Sequence, residues 1–195
     1  MRVIAGQYRG RTLRSLRGMD IRPTSDRLRE TLFNVLCAGN PEALQGTVWL
    51  DLFAGTGAVG IEALSRGAKQ VYFVENAPAA VKLIEGNLQR LAIADGYKIL
   101  RDELSAILWR FKRQHVAVDV VFLDPPYQMR DAYKATITAL AESSAVWAMT
   151  LVVAEHEKKF DPGSEFGALR RIRLLVQGDS ALSFYRIGGQ VDLSR

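Results

Sequence analysis

Four consecutive residues, Asp124-Pro125-Pro126-Tyr127, combine groups that could act on a nitrogen atom. The prolines fix the backbone and remove two amide donors, which leaves the Asp124 carboxylate and the Pro125 carbonyl as acceptors beside an aromatic ring. Two acceptors can hold both N–H bonds of a nucleobase amino group, draw its delocalised lone pair toward tetrahedral geometry and stabilise the developing positive charge. The Tyr127 ring could stack on a flipped-out base. We predict that all four residues form a catalytic site for transfer to an exocyclic amine, with Asp124 or water taking the released proton.

A glycine-rich run at 51–60, Asp-Leu-Phe-Ala-Gly-Thr-Gly-Ala-Val-Gly, could hold a nucleoside-containing ligand. Its glycines let the backbone turn sharply and approach a ligand without interference from a Cβ atom. Glu75 follows about 20 residues after Gly55, at the end of the next strand, where a carboxylate can accept hydrogen bonds from two ribose hydroxyls. The residues predicted to contact the ligand are Asp51, Phe53, Ala54, Gly55, Gly57, Gly60, Glu75 and Asn76.

The glycine spacing fits a dinucleotide as well as S-adenosylmethionine. Asp51 favours S-adenosylmethionine, because a carboxylate there could engage the cationic amino-acid end of that ligand but would repel a pyrophosphate. The ligand also carries a positive sulfonium, so no anion cradle is required. Asp102, or the adjacent Glu103, could accept a hydrogen bond from the adenine amino group, although a surface acid explains either residue equally well.

Alternating strands and helices should position these residues from 46 onward. We predict strands at 47–53, 70–74, 97–100, 118–123 and 151–155, and helices at 57–65, 78–91, 104–113 and 133–142, after a first helix that begins near Pro23. Strands that are apolar on both faces and separated by helices indicate a parallel sheet covered on both sides. The segment at 124–127 then lies at the carboxyl edge of the sheet, where open α/β folds bind ligands. The last strands, 173–176 and 182–187, flank a turn at 178–180 and should pair antiparallel.

The beginning of the chain is rich in arginine. Its first thirty residues hold eight arginines against three acids, and the whole chain has a net charge of +5 and a pI near 9.5. Segments 2–5 and 11–16 are predicted as short strands around a turn between Gly6 and Gly10, which makes residues 1–22 a basic hairpin arm. Guanidinium groups suit phosphate and base-edge contacts, although a solvated basic face explains the charge equally well. The candidate RNA contacts are Arg9, Arg11, Arg22 and Arg27.

The composition also argues against several classes of protein. Cys37 is the only cysteine, so an intrachain disulfide and a cysteine-based zinc site are excluded. His115 and His156 lack partners at metal-ligand spacing, so we predict no metal site and place both histidines on the surface. No apolar stretch reaches the roughly 20 residues of a membrane span, and the first apolar run breaks too early for a signal peptide. We therefore expect a cytoplasmic protein with no membrane partner, whose core includes Trp49, Trp109 and Trp147.

Several segments together resemble the RsmD family of bacterial 16S ribosomal RNA guanine-N2 methyltransferases. The resemblance covers essentially the whole chain and is carried by Ile4-Ala5-Gly6, Arg9-Gly10-Arg11, the run from Arg22-Pro23-Thr24 to Asn34, the glycine loop, Asp124-Pro125-Pro126-Tyr127 and Gly178-Asp179-Ser180-Ala181-Leu182. It implies a Rossmann-like class I methyltransferase domain at 23–195, one compact unit with a mostly parallel seven-stranded sheet and an antiparallel C-terminal hairpin. It also implies S-adenosylmethionine as the cofactor and N2 of one guanine in 16S rRNA, within an assembling small ribosomal subunit, as the target. We expect a monomer, because a single sheet uses the whole chain.

Three alternatives remain open from the sequence. An Asp-Pro-Pro-Tyr site is shared with adenine-N6 methyltransferases, so the tetrapeptide does not name the base. An NAD-dependent oxidoreductase could use the same glycine loop, but no Tyr-x-x-x-Lys pair is visible and the tetrapeptide would have no role. A non-catalytic RNA-binding protein would need neither the acceptor pair nor the glycine loop. Whether the substrate is naked RNA or an assembled particle is also open.

Overall fold

The computed structural model describes residues 1–15 and 26–188. By its internal contacts the chain divides into two compact units, Met1–Arg101 and Asp102–Arg195. The elements, in chain order, are α1 (Asp26–Leu36), β1 (Val48–Leu52), α2 (Ala58–Ser65), β2 (Gln70–Val74), α3 (Pro78–Arg90), β3 (Tyr97–Leu100), α4 (Leu104–Arg113), β4 (Val120–Leu123), α5 (Arg130–Ala141), β5 (Leu151–Glu157), β6 (Glu165–Phe166), β7 (Leu169–Gln177) and β8 (Ser180–Ile187).

In the first unit, β2 lies between β1 and β3 and pairs parallel with both. Strand β3 contains no buried residue. Strands β1 and β2, in contrast, are largely apolar on both faces, and their residues Trp49, Leu50, Val71 and Phe73 are fully buried. Every residue of α2 is buried as well. Burial on both faces explains why β1 and β2 have nearly continuous apolar sequences.

In the second unit, β4 and β5 pair parallel, so that Leu123 lies opposite Ala154. The next pairs, β5 with β8, β8 with β7 and β7 with β6, are antiparallel. The predicted antiparallel C-terminal hairpin is therefore confirmed, and its turn contains Gly178 with a φ of 61°. The parallel pairing of β4 and β5 places the residue after Leu123 beside the end of β5.

The α/β class is confirmed, but the described residues form eight strands where the sequence predicted seven. The additional strand is β6, which has two residues and pairs with Leu169 and Arg170 of β7. A two-residue strand carries no periodic pattern. The bounds of β2, β3 and α4 agree with the prediction, whereas α5 begins three residues earlier than predicted and β7 four residues earlier.

The N-terminal segment is a hairpin with much less strand than predicted. A single antiparallel bridge joins Arg2 to Thr12, and Gly6 and Gly10 both have positive φ. Beyond Val3, the amides of Ile4 and Ala5 donate to the buried Glu62 carboxylate, at 2.7 and 3.0 Å. The segment is thereby attached to α2, and it approaches so closely that a Cβ on Gly6 would lie 1.8 Å from the Ser65 carbonyl oxygen.

Three side chains lie where the sequence did not predict them. His156 is buried (2% exposed), because its ring bonds to Ser183 Oγ and to the Glu157 carbonyl oxygen. Trp109 and Trp147 are exposed, so only Trp49 of the three tryptophans lies in the core.

No helix among residues 1–15 and 26–188 is long and apolar enough to cross a membrane. Those same residues contain no group of three or more His, Cys, Asp or Glu suited to a metal ion.

Candidate active site

The glycine loop between β1 and α2 turns through three residues with left-handed backbone. Phe53, Gly55 and Gly57 have φ values of 58°, 54° and 74°. A positive φ is uncommon for phenylalanine, and such strained residues cluster at ligand sites. The Ala54 amide donates to the Val74 carbonyl oxygen at 3.1 Å, which fixes the loop to the carboxyl end of β2.

Asp51 lies beneath this loop and closes the first turn of α2. Its Oδ2 accepts a hydrogen bond from the Gly60 amide at 3.0 Å, and the residue is 2% exposed. Burial, with a smaller contribution from the charge of Glu75, raises the pKa of Asp51 to about 8, although the Gly60 hydrogen bond acts in the opposite direction. A helix N-terminus usually offers such an amide to a phosphate; here a carboxyl group occupies it.

Glu75 joins the glycine loop to the start of α3. One carboxylate oxygen accepts from the Gly55 amide at 2.9 Å and the other from the Ala77 amide at 2.8 Å. Glu75 remains partly exposed, and the neighbouring Asn76 is exposed. The structure therefore brings Asp51, Glu75 and the predicted glycines together at the carboxyl ends of β1 and β2.

Asp102 and Glu103 lie at the start of the second unit, just before α4. Asp102 makes an ion pair with Arg110 at 2.6 Å, and both side chains are partly exposed. Glu103 is exposed and stands at the N-cap position of α4. Exposed pairs of this kind contribute little to stability, so the Asp102 carboxylate can exchange partners.

The tetrapeptide follows β4 directly and begins beside the end of β5. Pro125 is buried, Pro126 is exposed, and Asp124 and Tyr127 are partly exposed. The turn closes through a 2.7 Å hydrogen bond from the Met129 amide to the Pro126 carbonyl oxygen. The two prolines restrict the backbone φ angles of the turn between Asp124 and Tyr127.

Two residues that sequence reasoning missed touch the tetrapeptide. The Tyr127 hydroxyl lies 3.4 Å from Ser180 Oγ, at the start of β8. The Tyr133 hydroxyl on α5 lies 3.4 Å from the Pro125 carbonyl oxygen and 2.9 Å from the Glu155 carbonyl oxygen. Ser180 belongs to segment 178–182, which the sequence predicted to lie in the C-terminal hairpin. Its distance from Tyr127 depends on the register of β5 with β8 and on the path of the tetrapeptide, and no local sequence pattern indicates either of these.

The candidate RNA-binding arginines are partly described. Arg9, Arg11 and Arg27 are exposed, and Arg22 lies outside the described residues. Arg29, in contrast, is buried and pairs with Asp26 at 2.9 Å. Its burial lowers the pKa of its guanidinium. The guanidinium donates to the Arg2 carbonyl oxygen, so Arg29 packs against the N-terminal segment.

Known proteins resemble this chain over most of its length. The family model described as Conserved hypothetical protein 95 matches residues 1–186. Ribosomal RNA small subunit methyltransferase D of Haemophilus influenzae is 37% identical over 81% of this chain and 79% of its own length. The chain belongs to the RsmD family. The Bacillus subtilis protein YlbH is 32% identical over 97% of this chain and all of its own length.

Solved structures extend the RsmD likeness to the three-dimensional fold. The structure of yhhF from Escherichia coli superposes with a TM-score of 0.78 at 32% identity, covering 97% of this chain and 99% of that one. The fold is that of a class I methyltransferase, as the sequence predicted. In this RsmD member the glycine loop follows β1 and the tetrapeptide follows β4.

Proposed function

We propose that this RsmD-family chain transfers a methyl group from S-adenosylmethionine to the exocyclic N2 of a guanine in 16S rRNA of an assembling small ribosomal subunit. The observation that carries the proposal is the tetrapeptide at the end of β4, with a carboxylate, a fixed proline carbonyl and a held tyrosine in four consecutive residues. The name of the Haemophilus influenzae relative, which specifies small-subunit ribosomal RNA, supports the choice of substrate.

The first unit fits S-adenosylmethionine better than a dinucleotide. Asp51 occupies the Gly60 amide, so the helix end that would receive a pyrophosphate already has an acceptor. The partly exposed Glu75 carboxylate is suited to accept from two ribose hydroxyls. We propose that the ligand is held by Asp51, Phe53, Ala54, Gly55, Gly57, Gly60, Glu75 and Asn76, with Asp102 or Glu103 toward the adenine.

The second unit provides the groups for the reacting amine. The bound cofactor supplies a methyl group on a positively charged sulfur, which leaves as a neutral thioether. We propose that the Asp124 carboxylate and the Pro125 carbonyl accept the two N–H bonds of the guanine amine, so that its lone pair points at the methyl carbon. As the N–C bond forms and the C–S bond breaks, Asp124 stabilises the cationic nitrogen and then it or water accepts the proton. Tyr127 stacks on the base, and Pro126 holds the turn.

Replacing Asp124 tests this assignment. Asp124→Ala is expected to lower kcat for methyl transfer by roughly a hundredfold or more, the scale of loss of a preorganised charge-stabilising group, while S-adenosylmethionine binds with unchanged affinity by calorimetry. Asp131→Ala removes an exposed carboxylate seven residues further along the chain and should leave both quantities unchanged. Near-normal turnover of Asp124→Ala would show that the amine is held by other groups.

A further inference from the structure

The hydroxyl of Tyr133 lies between two backbone carbonyl groups. Tyr133 is on the first turn and a half of α5 and is 1% exposed. Its oxygen is 2.9 Å from the Glu155 carbonyl oxygen and 3.4 Å from the Pro125 carbonyl oxygen. Neither acceptor can donate, so the phenol proton is the donor in both contacts.

One proton shared between two acceptors favours the nearer one. A separation of 2.9 Å is an ordinary hydrogen bond, whereas 3.4 Å is at the long end of the range. The Pro125 carbonyl is therefore aligned by the phenol without being fully engaged by it, and a carbonyl oxygen has two lone pairs.

The surrounding side chains hold this phenol in one orientation. The Phe160 ring lies 5.1 Å from the Tyr133 ring, and the His156 ring packs against it edge-on at 6.5 Å. His156 is itself fixed by its bond to Ser183 Oγ at 2.9 Å. Burial, together with the nearby Asp124 charge, raises the pKa of Tyr133. Tyr133 therefore stays protonated, and a donor, across the pH range in which proteins work.

We propose that Tyr133 is a positioning residue that sets the direction of the Pro125 carbonyl for the incoming amine. This inference rests on the proposed function, because it assigns a purpose to a contact with one of the two proposed acceptors. The same hydroxyl donates to the carbonyl oxygen of Glu155 on β5. It therefore links the tetrapeptide to β5, and the position of the Pro125 carbonyl depends on this strand as well as on the turn.

The test compares two tyrosine-to-phenylalanine substitutions that each remove one buried hydroxyl. Tyr133→Phe removes the donor beside Pro125. Tyr185→Phe is the matched control, because Tyr185 is fully buried in the same unit and its hydroxyl donates to a backbone carbonyl oxygen, that of Gly163, at 2.8 Å. Both variants keep the ring and its packing.

Steady-state methyl transfer separates positioning from folding. Tyr133→Phe is expected to lower kcat by about tenfold to a hundredfold, the effect of displacing a reacting group by up to 1 Å, with the KM for S-adenosylmethionine within twofold of wild type. Tyr185→Phe should keep a wild-type kcat even if it melts at a lower temperature. Equal kcat values for Tyr133→Phe and wild type would overturn the proposal, and so would equal losses of kcat in the two variants.

A second readout needs no reaction. The Met129 amide, which closes the tetrapeptide turn by donating to Pro126, should exchange its hydrogen faster in Tyr133→Phe than in wild type and unchanged in Tyr185→Phe. If the wild-type protein transferred no methyl group, the proposed function would be wrong. Faster exchange of the Met129 amide in Tyr133→Phe would then still show that Tyr133 stabilises the turn. Unchanged exchange at Met129 would contradict the positioning role whatever the reaction is.

Discussion

At the scale of single residues, the two acids of the first unit differ in what surrounds them. Asp51 is buried and accepts one amide, whereas Glu75 is partly exposed and accepts two. The sequence predicted the positions of both, because an acid before a glycine loop and one at the next strand end form a recurring pattern. Burial of Asp51 could not be predicted, since it depends on how closely α2 packs over β1.

The burial of Asp51 predicts a pH-dependent stability. Its pKa rises from 3.8 to about 8 on folding, so the folded chain keeps a proton that the unfolded chain releases above pH 4. The Asp51 carboxyl group therefore makes its full contribution to the free energy of unfolding below pH 4, and this contribution falls as pH rises toward 8. Asp51→Asn stays neutral and can still accept the Gly60 amide, so we expect it to melt higher than wild type at pH 8 and similarly at pH 4.

Thermal denaturation across that range measures the effect. Asp131→Asn, which neutralises an exposed carboxylate, should keep the wild-type pH dependence. If Asp51→Asn lost stability with rising pH as steeply as wild type does, the raised pKa would be wrong.

At the scale of elements, the local sequence pattern predicted the bounds of β2, β3 and α4 correctly, whereas the start of the nine-residue β7 was missed by four residues. Much of β7 is only partly buried, so its apolar pattern is weak. The N-terminal strands were overpredicted because Glu62, 57 residues away in sequence, accepts the Ala5 amide that a longer ladder would need. Tyr133 could not be assigned to the site, because its contact with Pro125 joins two elements and leaves no spacing signal.

The packing of α2 on β2 predicts a contrast between two helical glycines. A Cβ at Gly60 would lie 2.3 Å from Phe73 Cε1 and 2.7 Å from Val71 Cγ1, whereas one at Gly86 on α3 would meet no atom within 4 Å. Gly60→Ala should therefore cost about 1–3 kcal/mol of unfolding free energy through overpacking. Gly86→Ala should be neutral or stabilising by up to about 1 kcal/mol, because alanine favours helix.

Chemical denaturation with urea gives both values. Because Gly60 also holds the Asp51 carboxyl group, Gly60→Ala should weaken S-adenosylmethionine binding, while Gly86→Ala should not. A Gly60→Ala protein as stable as wild type would show that α2 is not packed against Phe73 as closely as described.

At the scale of the whole molecule, the net charge of +5 is concentrated near the beginning of the chain. Arg9 and Arg11 are exposed on the N-terminal hairpin, which is anchored to α2 through Glu62 and Ser65. A rigidly attached cation contacts phosphate without the entropy cost of ordering a free tail. The composition predicted the basic segment, whereas its anchoring became visible only with the fold.

We expect these two arginines to contribute to RNA affinity through counterion release. The double variant Arg9→Ala/Arg11→Ala should reduce the slope of log K against log salt by about 1.4 to 1.8 in magnitude, as two lost phosphate contacts would. Lys134→Ala/Lys158→Ala removes the same charge from exposed positions in the other unit and should change the slope less. Filter binding at several salt concentrations measures the slope for each variant. Identical slopes for the two double variants would show that the hairpin does not contact the RNA.

The identity of the methylated nucleoside tests the central claim most directly. Small ribosomal subunits from a strain deleted for this gene can be incubated with the purified chain and S-adenosylmethionine carrying a deuterated methyl group, and the 16S rRNA then digested for mass spectrometry. We predict one labelled N2-methylguanosine, which is absent when Asp124→Ala replaces wild type. Label on adenine N6, or on no nucleoside although S-adenosylmethionine binds, would contradict the proposed guanine-N2 reaction.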